Sequence, residues 1–331
     1  MTVHNYSKHV AIVGVTGYSG RELDGLLRFH PEIQVSGRFA SKADSKTGAE
    51  AFSLETLRTK SPDVVVLATE HDLSHELVPQ LLEEGYRVLD MSGAFRLPEA
   101  AQYSEWYGFE HRATGLLKES VYGLPEFYAE RIQKARLVAN PGCYATAAIL
   151  PLRPLYMAGA IDLAAPVVVD GKSGVSGAGR HPKPETHFCE VNENLKAYGV
   201  LKHRHTPEMI SQLPGASVDQ FVFTPHLIPI TRGILCTIVL RAAGGASVQG
   251  ILSEAYAGTP FVEVLAPPSM PSMPDIQSVV RTNVCRMGVA SNGANTVIVS
   301  AIDNLVKGAA GQALQNLNLM LGCEQGAGIS R

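Results

Sequence analysis

Apolar residues follow two rhythms along the chain. Residues 10–15, VAIVGV, form a short β-branched run; TGYSG follows, and then RELDGLLRF, in which Leu23, Leu26 and Leu27 recur at helical spacing. That order predicts strand, turn, helix. Similar apolar runs recur at 33–40, 63–69, 87–92 and 136–140, with stretches between them long enough for crossover helices such as 74–84. Strands that are apolar on both faces and alternate with helices belong in a parallel sheet covered on both sides. After a helical segment at 144–157 the pattern changes to longer strands joined by turns: 167–174, 218–230, 233–242, 261–265, 283–290 and 296–302. A larger, partly antiparallel sheet is expected there. The Pro-rich stretch 266–274 reads as an ordered surface loop, and a last helix over 304–321 carries Leu305, Ala309, Ala313, Leu317 and Met320 along one stripe.

The fold class is therefore α/β: a doubly wound Rossmann-type domain, residues 1–143 completed by 304–331, plus a second α+β domain with a large mixed sheet, residues 144–303. At 331 residues, two ordinary domains with sizeable cores fit the length. Lys+Arg 28 against Asp+Glu 31 gives a net charge of −3 with no basic run, so nucleic acid is excluded as the natural partner. No apolar stretch approaches a membrane span, and the N-terminus lacks the form of a secretion signal. The five cysteines are scattered and never in CxxC spacing, which argues against both a disulfide framework and a zinc site. A reducing, cytoplasmic compartment is expected.

Three stretches carry chemistry. In GVTGYSG, Gly14, Gly17 and Gly20 lie between the first strand and a helix that begins beside Ser19. Free backbone N–H groups at such a helix start suit a pyrophosphate, with Thr16 and Tyr18 in the same turn. The second strand runs into GRFASKADSK, where Arg38, Ser41, Lys42 and Lys46 supply donors and positive charge and the nearest acid is Asp44. A ribose 2′-phosphate, hence NADP(H), is favoured there over NAD(H). GKSG at 171–174 is not a P-loop, because Pro166 stands where the first glycine is required. The glycines of GKSGVSGAG instead suit close approach to a ligand, which makes Ser173 and Gly174 cofactor candidates.

NPGCYATAAIL, 140–150, breaks a strand and starts a helix with Cys143 in its first turn, where the helix dipole and open amides favour a nucleophilic thiolate. The proton partner is sought in LKHRHTPEM, where His203 and His205 stand beside a helix start with Thr206 as N-cap and Pro207 at its first position. No third ligand of recognised spacing accompanies the H-x-H pair, so no metal is expected. Arg96 in DMSGAFRL could hold a phosphate or carboxylate bidentately. Lys307, in the first turn of the last helix, opposes the dipole and needs a nearby anion or full solvation.

Taken together, GVTGYSG, DMSGAFRL, YGLPE, NPGCYAT, GKSGVSGAGR, HRHTPE and NLVKGAAGQA span nearly the whole chain in order. On these motifs the chain resembles the N-acetyl-gamma-glutamyl-phosphate reductase family of arginine biosynthesis, within the aspartate-semialdehyde dehydrogenase-like superfamily. The resemblance implies reduction of an acyl phosphate to an aldehyde with NADPH, through a thioester on Cys143. It also implies His203 as acid/base on the thiohemiacetal oxygen or the thiol, and His205 and Glu208 as groups that orient substrate. Arg96, Arg180 and Tyr198 become candidates for phosphate, carboxylate or acetamido contacts, Asn304 for the nicotinamide region, and a homodimer or homotetramer for the assembly. DMSGAFRL departs from the more familiar DLSADFRL form while keeping the arginine. The competing readings are a reductase of aspartyl phosphate or of the longer N-acetyl-aminoadipyl phosphate, a dehydrogenase without a covalent intermediate, and a nucleotide-binding regulator without catalysis.

Overall fold

Two seven-stranded sheets organise the chain in a computed structural model that describes residues 7–266 and 273–329. The first comprises β1 (Lys8–Val13), β2 (Ile33–Ala40), β3 (Glu50–Ala51), β4 (Val64–Leu67), β5 (Arg87–Asp90), β6 (Val121–Tyr122) and β7 (Leu137–Ala139) in the order β3-β2-β1-β4-β5-β7-β6. Every pairing is parallel. Successive residues alternate between two buried faces. Val10, Ile12, Val64 and Val66 pack with Leu23 and Leu27 of the helix Tyr18–Leu27, and with Leu314 and Leu317 of the helix Gly311–Met320. Ala11, Val13, Val65 and Leu67 pack with Leu77, Val78 and Leu81 of the helix His71–Glu83. Burial on both faces is what made these strands read as unbroken apolar runs. The strand order reverses between β1 and β4, the switch point at which ligands bind in doubly wound sheets.

The second sheet contains β8 (Val167–Gly174), β9 (Lys196–Ala197), β10 (Phe221–Ile228), β11 (Ile234–Arg241), β12 (Val262–Leu265), β13 (Cys285–Asn292) and β14 (Asn295–Ile302), ordered β12-β13-β14-β11-β8-β10-β9. It is mixed: β8 with β10 and β12 with β13 run parallel, and the other pairs antiparallel. Val167, Val169, Phe221, Phe223, Ile234, Cys236 and Ile238 are buried, whereas their neighbours Val168, Asp170, Lys172, Val222 and Thr224 are half-buried. The helix Cys143–Met157 packs against β11, β13 and β14. Contacts divide the described chain into two compact units, one ending at Pro141 and resuming at Ala309, the other running from Gly142 to Gly308.

Several local expectations change. The short strands β3, β6 and β9 were too brief to show a period. The last helical stretch is broken: Val306–Ala310 is a π-helical turn, closed by Gly308 N–H donating to the Asp303 carbonyl at 2.9 Å, and the α-helix starts only at Gly311. Lys307 is fully buried, with its Nζ 5.7 Å from the centre of the Phe261 ring, which overturns the solvated reading. Thr206 is not an N-cap. The helix already begins at His205, the Thr206 N–H donates to the His203 carbonyl at 2.8 Å, and its hydroxyl is buried without a partner. The core of the Pro-rich loop, 267–272, lies outside the described residues.

The first unit carries a pH-dependent element. His111 is buried among aromatic rings and donates Nε2–H to the Ala94 carbonyl at 3.0 Å. Burial, with neighbouring His75, pushes its imidazole down to about 4. The unfolded chain therefore binds a proton at this residue that the folded one refuses. The contribution is complete above about pH 6.5 and is lost as pH falls towards 4, on the order of 3 kcal/mol in all. Urea unfolding at pH 7 and pH 4.5 should show a smaller acid-induced loss of stability in His111→Gln than in the wild type. Equal losses would show that His111 is not part of the acid response.

Candidate active site

Cys143 is the first residue of its helix, with Gly142 as an extended N-cap and no side chain capping the turn. The sulfur-bearing residue is partly exposed, while nearly every following residue of that helix is buried. Two contacts fix this turn. The Gly142 N–H donates to Oε1 of Glu208 at 2.7 Å, and Glu208 is fully buried. Gly308, in the π-helical turn, lies so close that a Cβ built on it would stand 2.7 Å from the Cys143 Cβ. Single π-turns inside helical stretches are frequent at functional sites, and here the extra residue brings a glycine against the cysteine.

The carboxylate of Asp303 holds that π-turn together. Its Oδ1 accepts from the Leu305 and Val306 N–H groups at 2.7 and 3.0 Å, and its Oδ2 from the Arg281 N–H at 2.7 Å, with Arg232 Nη1 at 3.3 Å. Arg281 has a φ of +66°, and this hydrogen bond supports the strained position. Upstream of the cysteine, the first unit clamps Asn140. Its N–H donates to the Asp90 carbonyl at 2.8 Å, its Nδ2 donates to the Ala309 carbonyl at 3.2 Å, and its Oδ1 accepts from Asn316 at 2.9 Å. Arg96 completes the clamp, giving Nε to the Asn140 carbonyl at 2.7 Å and Nη2 to the Met91 carbonyl at 2.8 Å. The guanidinium expected to hold substrate is thus largely committed to backbone.

His203 stands inside an aromatic enclosure. Tyr144, Tyr198, His205 and Phe223 present rings at 5.8, 5.6, 4.7 and 5.3 Å, all steeply tilted to the imidazole. Burial first, and then the charge of Arg204, push His203 down to about 3, so the ring is neutral near pH 7. The Tyr144 hydroxyl donates to the His226 carbonyl at 3.0 Å. Burial raises Tyr198 to about 12 and Tyr144 further. His205 is buried with its Nε2 4.0 Å from Oε2 of Glu208. Glu208 bonds the cysteine turn and approaches His205, while His203 packs on Tyr198, His205 and Tyr144, the residue that follows Cys143. Tyr144, Phe223, Gly308 and Asp303 were missed. Tyr144 follows the cysteine directly, and a glycine inside the last helical stretch was the available sign of Gly308.

The other site candidates fall elsewhere. Asn304 divides its amide between the Gly233 N–H at 2.7 Å and the Ser176 hydroxyl at 2.9 Å, a holding role within the second unit. Ser173 is buried and donates to the Gly174 carbonyl, and a Cβ on Gly174 would meet the Thr231 backbone at 2.8 Å. Arg180 is exposed on the segment after the turn Val175–Ala178. In the first unit, Gly14 has φ +91°, and a Cβ there would lie 2.3 Å from the Ala68 carbonyl; one on Gly20 would lie 2.4 Å from the Gly14 carbonyl. Gly17 caps the helix Tyr18–Leu27 with no side chain over its amides, so Thr16, Tyr18 and Ser19 border a turn that fits a pyrophosphate. Ser41 and Lys42 are exposed beyond β2, but Arg38 is paired with Asp24 at 2.8 Å. Among the described residues no cluster of three His, Cys, Asp or Glu is placed to hold a metal ion, and no helix is long and apolar enough to cross a membrane.

Residues 9–135 match the family described as semialdehyde dehydrogenase, NAD binding domain, and residues 143–304 match semialdehyde dehydrogenase, dimerisation domain. The N-acetyl-gamma-glutamyl-phosphate reductase of Ruthia magnifica subsp. Calyptogena magnifica is 41% identical over 337 residues, covering 97% of this chain and 98% of that protein. That of Halorhodospira halophila is 44% identical over 340 residues, covering 97% of each. The chain belongs to the N-acetyl-gamma-glutamyl-phosphate reductase family. Among solved structures, aspartate semialdehyde dehydrogenase II of Vibrio cholerae, complexed with ASA, superposes with a TM-score of 0.71 over 95% of this chain and 98% of that one. At 18% identity that likeness shows the fold. The motif resemblance and the two-sheet fold class are both borne out.

Within this family site, the contact between Gly308 and Cys143 gives a direct test. Gly308→Ala must push the cysteine turn or the π-turn aside, and a displacement near 1 Å lowers turnover by about 10²-fold. Reductase kinetics beside circular dichroism should show that loss in a folded protein; wild-type turnover would show the close approach to be idle.

Proposed function

We propose that the chain reduces N-acetyl-gamma-glutamyl phosphate to N-acetylglutamate 5-semialdehyde and phosphate with NADPH, in arginine biosynthesis in the cytoplasm. The observation that carries the reading is Cys143 at an open helix start, grouped with His203, Tyr198 and Glu208 in a chain 41–44% identical to curated reductases. First-turn amides favour a negative sulfur, which attacks the acyl carbon as phosphate departs and leaves a thioester. NADPH, when bound, supplies the hydride that turns the thioester into a thiohemiacetal. Gly14, Gly17 and Gly20 with Thr16, Tyr18 and Ser19 would hold its pyrophosphate, and Ser41 and Lys42 its 2′-phosphate. His203 handles the oxygen or thiol proton, Tyr198 and His205 line the substrate, and Glu208 keeps the cysteine turn in place. Arg96 acts by positioning Asn140, two peptide bonds before Gly142.

The second unit also supports self-assembly. One face of its sheet is left half-buried at Val168, Asp170, Lys172, Val222 and Thr224, in the part of the chain that matches a dimerisation domain. A second copy would cover it, giving a homodimer or homotetramer.

Substrate choice rests on pocket length, and one methylene is worth about 1–3 kcal/mol, or roughly 10–200-fold. Comparing kcat/KM on N-acetylglutamyl, N-acetyl-aminoadipyl and aspartyl phosphates, with NADPH and NADH, should rank the first substrate and NADPH highest. A preference for aspartyl phosphate would overturn the assignment. Cys143→Ser should abolish reduction, and retained NADPH-dependent activity would remove the covalent route.

A further inference from the structure

Every residue of the helix Gly311–Met320 is buried, the amide side chains of Gln312, Gln315, Asn316 and Asn318 among them. Buried amides persist where their hydrogen bonds hold something in place. Gln315 turns to Glu126, and Asn318 to His30 and the carbonyls of Gln325 and Ala327. Asn316 reaches the segment that leads to the cysteine. Both of its Nδ2 hydrogens are used, one on the Gly123 carbonyl at 2.8 Å and one on Oδ1 of Asn140 at 2.9 Å. Gly123 permits this approach, since a Cβ built there would stand 2.6 Å from that nitrogen. With two acceptors in front of it the Asn316 amide cannot turn over, and it fixes the amide of Asn140 in turn. Were Asn140 reversed, its NH2 would face that of Asn316 and its oxygen would face the Ala309 carbonyl, which accepts from Nδ2 at 3.2 Å. Oδ1 of Asn316 is itself buried without a partner among the described residues, so this side chain works as a donor.

We infer that Asn316 is a positioning residue for the reaction. By setting the Asn140 amide it fixes the two chain segments that flank Cys143, and with them the shape of the turn whose N–H groups support the thiolate. The first segment runs forward from Asn140, whose N–H and carbonyl are already taken by the Asp90 carbonyl at 2.8 Å and Arg96 Nε at 2.7 Å. Only Pro141, with its ring-restricted φ, separates it from Gly142, the N-cap of the cysteine helix. The second segment is the π-helical turn: the Asn140 amide holds Ala309, which directly follows Gly308, the glycine packed on the Cys143 Cβ. This inference rests on the covalent reading above and adds to the clamp by Arg96 the group that decides which way the Asn140 side chain is turned. Gln312 provides the contrast. One turn earlier on the same helix, it donates Nε2 to the same Gly123 carbonyl at 3.2 Å, and among the described residues it has no bond to Asn140.

The test compares the wild type with Asn316→Leu, Gln312→Leu, Asn140→Ala and the double variant Asn140→Ala/Asn316→Leu. Reductase kinetics are measured beside iodoacetamide alkylation of Cys143 against pH, followed by peptide mapping, with circular dichroism to check folding. Asn316→Leu should lose about 10²-fold in kcat, the effect of a displacement near 1 Å, with KM little changed. The pH midpoint of Cys143 alkylation should rise in the same variant. Gln312→Leu should keep both wild-type values. Asn140→Ala should lose as much as the double variant, because Asn316 acts through that amide. A folded Asn316→Leu with wild-type kcat and midpoint, equal losses in Gln312→Leu, or losses that multiply in the double variant would each overturn the inference. A wild type not alkylated at Cys143 would instead overturn the covalent reading, and this inference with it. Should the asparagine variants fail to fold, hydrogen exchange of the side-chain amides in asparagine-labelled wild type decides. Slow exchange at both Asn140 and Asn316 is expected, and exchange as fast as that of exposed amides would overturn it.

Discussion

The close approach of Gly308 to Cys143, with the Glu208 carboxylate bonded to the Gly142 N–H on the neighbouring turn, is the constraint on which the site depends. A helix start is electrostatically suited to a thiolate, but only while its first turn keeps its shape and no side chain closes over the amides. The extended Gly142 and the side-chain-free Gly308 meet that requirement from two directions. Asp303 extends the support outwards by tying the π-turn to the Arg281 backbone and Arg232. A hydrogen bond to a buried charged group is worth about 1.5–3 kcal/mol, so these two carboxylates contribute strongly to a small region.

The second feature is an uncharged histidine. Aromatic rings pack around the half-buried His203, and the His205 amide takes one of its nitrogens. Such an environment disfavours the charged form of the ring.

Legibility in the sequence followed how local each cause was. Strand, glycine turn and helix at GVTGYSG, and the cysteine at its helix start, could be read because strand period, turn residues and helix initiation are short-range effects. The second sheet was readable as longer strands, but its order was not, since pairing such as β8 with both β10 and β11 joins segments far apart in sequence. Charged residues were the least predictable. Arg38, Arg96 and Lys307 each looked available to a ligand or to solvent, yet the fold directs them to Asp24, to two backbone carbonyls and into a buried position over Phe261. Gly308 was visible only as a helix-interior glycine, because its meaning depends on a turn type that sequence pattern does not encode.

The central claim is that the sulfur of Cys143 carries the acyl group. Mixing the protein with N-acetyl-gamma-glutamyl phosphate in the absence of reduced cofactor, quenching in acid and mapping peptides by mass spectrometry tests it directly. The account predicts one acyl adduct per chain on the peptide that contains Cys143, removable by hydroxylamine. An unmodified Cys143 peptide with substrate bound, or the adduct on another residue, would contradict it.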